Sequence, residues 1–289
     1  MRGRSFRGGF HDFVIRKGGL VLFPRLIASE HVDGAPAAEP LLSGIGELDQ
    51  LLGSGLDRGT STLLIGPSGS GKSSIAMQFV IAALGQGERA LFVTFDETKA
   101  ILMKRSAGMG WHLDRAIASG QLLLEQVDPA ELSPGELTGM VRRHVETDNV
   151  RVVVLDSLSG YQNAMPAEQF MLLLMHEMLT YLNHRGVVTI LTLAQHGLVG
   201  SMQSSVDLTY LSDTVLLLRF FEAAGRIRRA ISVLKKRTGR HEDEIREYRL
   251  DSRGIRVGPP LAEFQGVLSG YPVYTGQHGA LLATRSNGQ

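Results

Sequence analysis

Five near-continuous apolar runs, at 61–65, 90–95, 122–125, 152–155 and 187–193, divide the middle of the chain. Runs of this kind predict strands covered on both faces, as in a mostly parallel sheet. Between them, residues 73–84, 99–109, 134–146 and 166–185 carry apolar positions at helical spacing. Pro166 is placed to open the last of these helices and Gly186 to close it. Phe170, Leu174, Met178 and Tyr181 or Leu182 fall on one of its faces and read as core. Strand and helix in alternation predict right-handed crossovers and a doubly wound α/β sheet. Beyond Ser212 the pattern turns β-rich, with runs at 214–220, 228–234, 245–250 and 254–257. These are expected to extend the sheet as antiparallel strands at one edge.

A repeat changes the picture of the N-terminus. Residues 11–26 align without a gap on residues 246–261: Phe13 meets Tyr248, Gly19 meets Gly254, Pro24 meets Pro259, and apolar positions coincide. Two unrelated β-hairpins can look this similar. The sharper expectation is that residues 1–34 hold the closing hairpin of a preceding domain of the same kind, followed by a linker around Ala35-Pro36-Ala37-Ala38-Glu39-Pro40. The chain would then be the second half of a tandem protein, or a relic of one. Its apolar residues Phe13, Ile15, Leu20, Leu22 and Phe23 should pack on this domain's sheet edge or on a neighbour. Residues 35–272 form the main α/β domain in this reading, and residues 273–289 read as a disordered tail.

The chemistry begins at the end of the first apolar run. Gly66-Pro67-Ser68-Gly69-Ser70-Gly71-Lys72-Ser73 fits Gly-x-x-x-x-Gly-Lys-Ser between a strand and a helix, with Ser74 next. Such a loop turns successive backbone N–H groups onto a phosphate, and the helix N-terminus adds a favourable dipole. Lys72 is expected to reach the β- and γ-phosphates of ATP, and Ser73 to ligate Mg²⁺. A second acidic element is needed at the C-terminal end of a neighbouring buried strand, and Asp156 supplies it after Val152-Val153-Val154-Leu155. An Asp there often only caps a turn; beside a phosphate loop it reads as the Mg²⁺ residue opposite Ser73. Asp96-Glu97-Thr98 ends another strand, placed beside the phosphate loop in this reading. Glu97 is the expected base or water-positioning group, with Asp96 the weaker candidate. The alternative is a cap for the following helix, which Asp96 or Thr98 could provide.

Composition removes other classes. Thirty Lys and Arg against 29 Asp and Glu give no bulk attraction to nucleic acid or anionic membrane. The chain has no cysteine, which excludes disulfides and thiolate metal sites, and its nine histidines show no ligand spacing. No apolar run is long enough to span a bilayer, so the expectation is a soluble cytoplasmic protein.

Ser43-Gly44-Ile45-Gly46-Glu47-Leu48-Asp49, the phosphate loop, Phe95-Asp96-Glu97-Thr98, Val233-Leu234-Lys235-Lys236-Arg237 and Leu268-Ser269-Gly270-Tyr271-Pro272 together resemble the KaiC family of RecA-type ATPases. The resemblance implies a RecA-like sheet and a homo-oligomeric ring, usually a hexamer, with ATP between neighbouring subunits. It implies that Lys235 and Arg237 of one subunit reach the γ-phosphate held by the next. It also implies a regulatory or signalling machine with a regulatory protein partner. Two departures stand out: the family's carboxylate pair is commonly Glu-Glu where this chain has Asp96-Glu97, and its Ser-Thr phosphoacceptor pair is matched by Thr209-Tyr210. Autophosphorylation on Thr209 is thus an open expectation. A DNA-acting recombinase or helicase shares this fold, but residues 196–210, expected to face the ring centre, contain no Lys or Arg. An ATP-dependent assembly switch with little turnover is the other alternative.

Overall fold

The computed structural model describes residues 8–9, 11–26, 39–164, 168–195, 208–268 and 273–276. Elements follow in the order β1 (Asp12–Arg16), β2 (Gly19–Phe23), α1 (Gly46–Leu51), β3 (Ser61–Gly66), α2 (Lys72–Gly85), β4 (Arg89–Thr94), α3 (Lys99–Gly108) and α4 (Asp114–Ala118). There follow β5 (Leu122–Gln126), α5 (Pro134–Thr147), β6 (Val150–Asp156), α6 (Leu158–Ala164), α7 (Glu168–His184) and β7 (Val188–Ala194). The last are β8 (Thr214–Ala223), β9 (Arg226–Lys236), β10 (Ile245–Asp251), β11 (Gly254–Pro260), β12 (Phe264–Gln265) and β13 (Val273–Tyr274).

Nine strands make one sheet in the order β11-β10-β9-β8-β3-β7-β6-β4-β5. From β8 to β5 every pairing is parallel, and β9, β10 and β11 are added antiparallel at one edge. This is the doubly wound, RecA-like arrangement expected from the sequence. Helices α1 to α4 cover one face and α5 to α7 the other, each over its own apolar core. Leu174, Met178, Tyr181 and Leu182 of α7 are buried as their spacing required. Helix α5 starts on a capping box: Ser133 Oγ accepts from Glu136 N, the Glu136 carboxylate accepts from Ser133 N, and Pro134 follows the cap. The unforeseen helices α1, α4 and α6 have six, five and seven residues, too few to show a period.

The N-terminal hairpin repeats the register of β10–β11. Pairs Arg16↔Gly19, Ile15↔Leu20, Val14↔Val21 and Phe13↔Leu22 stand where Asp251↔Gly254, Leu250↔Ile255, Arg249↔Arg256 and Tyr248↔Val257 stand under the alignment. Its seat differs from the expected sheet edge, because it lies against α5. Asp12 Oδ2 accepts from Gly135 N at 2.8 Å, Arg16 pairs with Glu136 at 2.6 Å, and Phe23 meets Gly139. Arg25 pairs with Glu177 and Leu26 enters the core. Of the two expected seats, this domain's sheet edge is not used by Phe13, Ile15, Leu20 and Leu22, which stand 52–79% exposed on this chain.

A second correction concerns the tail. Val273–Tyr274 pairs with Phe264–Gln265, since the Tyr274 ring sits 5.0 Å from Phe264 and its hydroxyl donates to Glu263 at 2.8 Å. Residues 35–38, Pro166, residues 269–272 and 277–289, and most of the 196–210 loop lie outside the described residues.

Candidate active site

The phosphate loop leaves the C-terminal end of β3, a strand buried along its whole length. Glycine matters at two places, at Gly66 through close contact with backbone and at Gly71 chiefly through its conformation. A Cβ on Gly66 would stand 2.4 Å from the Leu218 carbonyl oxygen of β8, and one on Gly71 would stand 2.7 Å from Leu250 Cδ1. Gly71 also takes φ +103°, the left-handed conformation that precedes α2. From outside, Tyr248 Oη donates to the Ser70 carbonyl and Arg229 reaches the Gly69 carbonyl at 3.5 Å. No motif pointed to these two supports, because they come from β10 and β9.

Lys72 opens α2 and is buried. Its Nζ donates to the Gly66 and Pro67 carbonyls, each at 2.9 Å. Burial pushes its ammonium down to about 8, against the pull of Asp156 and Asp96. Ser73 Oγ donates to Asp156 Oδ1 at 3.0 Å, and Thr192 Oγ1 on β7 donates to the same oxygen at 2.5 Å. Burial raises the Asp156 carboxyl above its ordinary value, opposed by these two hydrogen bonds and by Arg105. The donor set fits a hard cation: one hydroxyl and one carboxylate side by side, with phosphate and water completing the shell. It fits a phosphate as well, since Ser70 Oγ is buried inside the loop with no hydrogen-bond partner. Among the described residues no three His, Asp or Glu side chains gather as a metal cluster.

The sheet order corrects two placements. Asp156 is not on the strand adjoining β3, because β7 intervenes; nor is β4 beside the phosphate loop, because β7 and β6 both intervene. Asp96 and Glu97 therefore flank the strand of Asp156. Thr98 takes the capping role, its side chain accepting from Ile101 N at the start of α3. That leaves both carboxylates available. Asp96 Oδ2 accepts from Ser157 Oγ at 2.6 Å and its carboxylate presses on Gly160 of α6. Glu97 is held by a residue the sequence did not single out, Arg105, whose Nε and Nη2 donate to its two carboxylate oxygens at 3.1 and 2.8 Å.

Lys235 and Arg237 are not brought to this site. Lys236 pairs with Thr214, which is level with Thr62 near the start of β3, whereas the phosphate loop follows Gly66 at its end. Six residues of strand separate the two ends by roughly 17 Å. There Lys235 Nζ donates to the Thr209 and Ser212 carbonyls at 2.8 and 2.7 Å. Arg237, about half exposed, donates to the Tyr210 carbonyl and pairs with Asp213 at 3.4 Å.

The family model "ATPase: KaiC" matches residues 41–262, which take in the phosphate loop, Asp96, Glu97, Asp156, Lys235 and Arg237. The chain belongs to the KaiC ATPase family. It is similar to circadian clock protein KaiC3 of Synechocystis sp., at 26% identity over 94% of this chain and 53% of that one. It is also similar to the circadian clock oscillator protein KaiC of Thermostichus vulcanus, at 24% identity over 94% of this chain and 52% of the relative. KaiC of Synechococcus elongatus is 22% identical over the same shares. This KaiC-family chain thus spans about half the length of the curated relatives it matches. Among its described residues no helix is long and apolar enough to cross a membrane.

Proposed function

We propose that this chain binds Mg-ATP in the loop from Gly66 to Ser74 and hydrolyses it within a cytoplasmic ring of like subunits, usually six in such assemblies. Lys235 and Arg237 of one copy then complete the nucleotide site of the next. The observation that carries the ring is the position of that pair. It sits at the far end of the sheet from its own phosphate loop, so a role at a nucleotide has to be played on a neighbour. In this reading Ser73 and Asp156 hold Mg²⁺, which neutralises charge on the phosphate oxygens. Glu97 orients the attacking water, Lys72 binds the phosphates, and Lys235 and Arg237 stabilise charge on the transferring group.

Thr209 extends the reading. Its carbonyl accepts from Lys235 Nζ, so a γ-phosphate held by a neighbour near Lys235 would also lie near the Thr209 hydroxyl. Autophosphorylation there is a second use of the same site. The hairpin's register supports reading residues 1–34 as the closing segment of a preceding ATPase domain. The output we propose is regulatory, passed to a protein partner.

Gel filtration with and without ATP, followed by phosphate release with and without DNA, tests the proposal. The expected result is ATP-dependent assembly with turnover indifferent to DNA. Strong stimulation by DNA would favour the recombinase or helicase reading, and assembly without turnover the switch.

A further inference from the structure

The sheet order poses a problem for Glu97. Its strand, β4, is the third from β3, with β7 and β6 between them. A water-positioning carboxylate has to be fixed relative to the phosphates, not merely to its own turn. One side chain spans the gap. Arg105, in the last turn of α3, donates from Nε and Nη2 to the two oxygens of Glu97. Its remaining terminal nitrogen, Nη1, donates to Ser74 Oγ at 3.0 Å. Ser74 lies in the first turn of α2, next to Ser73, which in turn donates to Asp156.

We infer that Arg105 is the positioning residue for hydrolysis, locking the Glu97 carboxylate to the N-terminal turn of the phosphate-loop helix. The inference rests on the reading of Glu97 as the water-positioning group. A carboxylate offers about four acceptor sites, so a fork that takes two leaves the others for water. The planar guanidinium fixes both oxygens at once, which a lysine ammonium cannot do. An ordinary explanation exists: a basic residue at a helix C-terminus, paired with a partly exposed acid, is common and worth little. The third bond, to Ser74, is what that explanation does not require. Nor does Arg105 touch Asp96, so the lock selects one of the two adjacent carboxylates.

The test is steady-state ATP hydrolysis by the full chain with Mg²⁺, in Arg105→Gln, Arg105→Lys, Glu97→Gln and the double variant Arg105→Gln/Glu97→Gln. Arg105→Gln is expected to lower kcat about tenfold with KM for ATP within about twofold, the size of effect typical of groups that orient a reacting one. Arg105→Lys, keeping charge without the fork, should fall about threefold. In the Glu97→Gln background, Arg105→Gln should add less than about twofold. Parental kcat in Arg105→Gln, or the same tenfold loss in both backgrounds, overturns the inference while leaving Glu97 its role. So does a rise in KM at constant kcat, which would make Arg105 a nucleotide-binding residue acting through Ser74. Parental turnover by Glu97→Gln overturns both readings together. If Arg105→Gln does not fold, Arg105→Lys decides alone: reduced kcat at unchanged KM supports the lock, and parental kcat removes it.

Discussion

Ser73 Oγ reaches Asp156 Oδ1 at 3.0 Å although β7 runs between β3, which leads into the phosphate loop, and β6, and Thr192 of that intervening strand donates to the same oxygen. The carboxylate is thus held from two sides in a buried setting that disfavours its charge. Because burial raises this carboxyl, the group contributes stability at low pH that is lost as pH rises through its folded value. Asp156→Asn should therefore be as stable as the parent at pH 7 or more so, while Mg²⁺-dependent turnover falls by about 10²-fold or more. Thermal unfolding together with a Mg²⁺ titration of phosphate release checks both halves. Loss of activity accompanied by unfolding would make the role structural.

Lys72 gives the opposite pH signature. Its ammonium is depressed to about 8, so between that value and its unfolded value near 10.5 the unfolded chain holds the extra proton. The nucleotide-free protein should gain stability from this residue as pH climbs through that window. Lys72→Met should remove the gain, as read from the difference between the two urea-denaturation curves at pH 7.5 and pH 10. Parallel curves would mean that the ammonium is already well solvated.

Shared sites predict rescue between two broken proteins. Arg237→Ala should bind ATP but turn it over slowly, since a cation supplied in this way is worth about 10³–10⁵ in rate. Glu97→Gln should fail for a different reason. Mixed and co-assembled, the two should recover part of the parental rate, because some interfaces then pair an intact Glu97 with an intact Arg237. A mixture as inactive as its components, with co-assembly demonstrated, would place the whole site within one subunit.

The central sheet could be read from sequence because strands buried on both faces carry near-continuous apolar runs, and the phosphate loop because its spacing is fixed by the phosphate itself. Strand order could not be read. Runs 90–95 and 152–155 look alike as sequence, yet their places relative to β3 decide what Glu97 needs. Arg105 escaped for the same reason, since its two partners are eight and 31 residues away on different elements. Thr98 and Asp96 were equal as candidate caps until the backbone placed Thr98 before α3. The hairpin's seat on α5 was not legible, because an apolar strand pattern predicts burial without naming what covers it.

The hairpin's polar anchors make a stability prediction. Deleting residues 1–26 strips partners from Glu136 and Glu177, both about nine-tenths buried, and removes Leu26 from the core. The remaining domain should fold with ATP affinity within about twofold of the parent but lose roughly 2–4 kcal/mol, measured by urea denaturation. A truncated chain with no cooperative transition would show that the hairpin is integral to the domain.

The separation of Lys235 and Arg237 from their own phosphate loop has an arithmetical consequence. Under the proposed shared site, each copy offers one socket and one plug at opposite ends of the sheet, so the contact that completes a site is head to tail. An open row of any length leaves its terminal socket unfilled and a plug unused at the other end. Closure fills every socket at once. Activity per subunit would then rise stepwise with closure, and a minor population of subunits lacking the plug would silence one neighbour apiece, not the whole assembly.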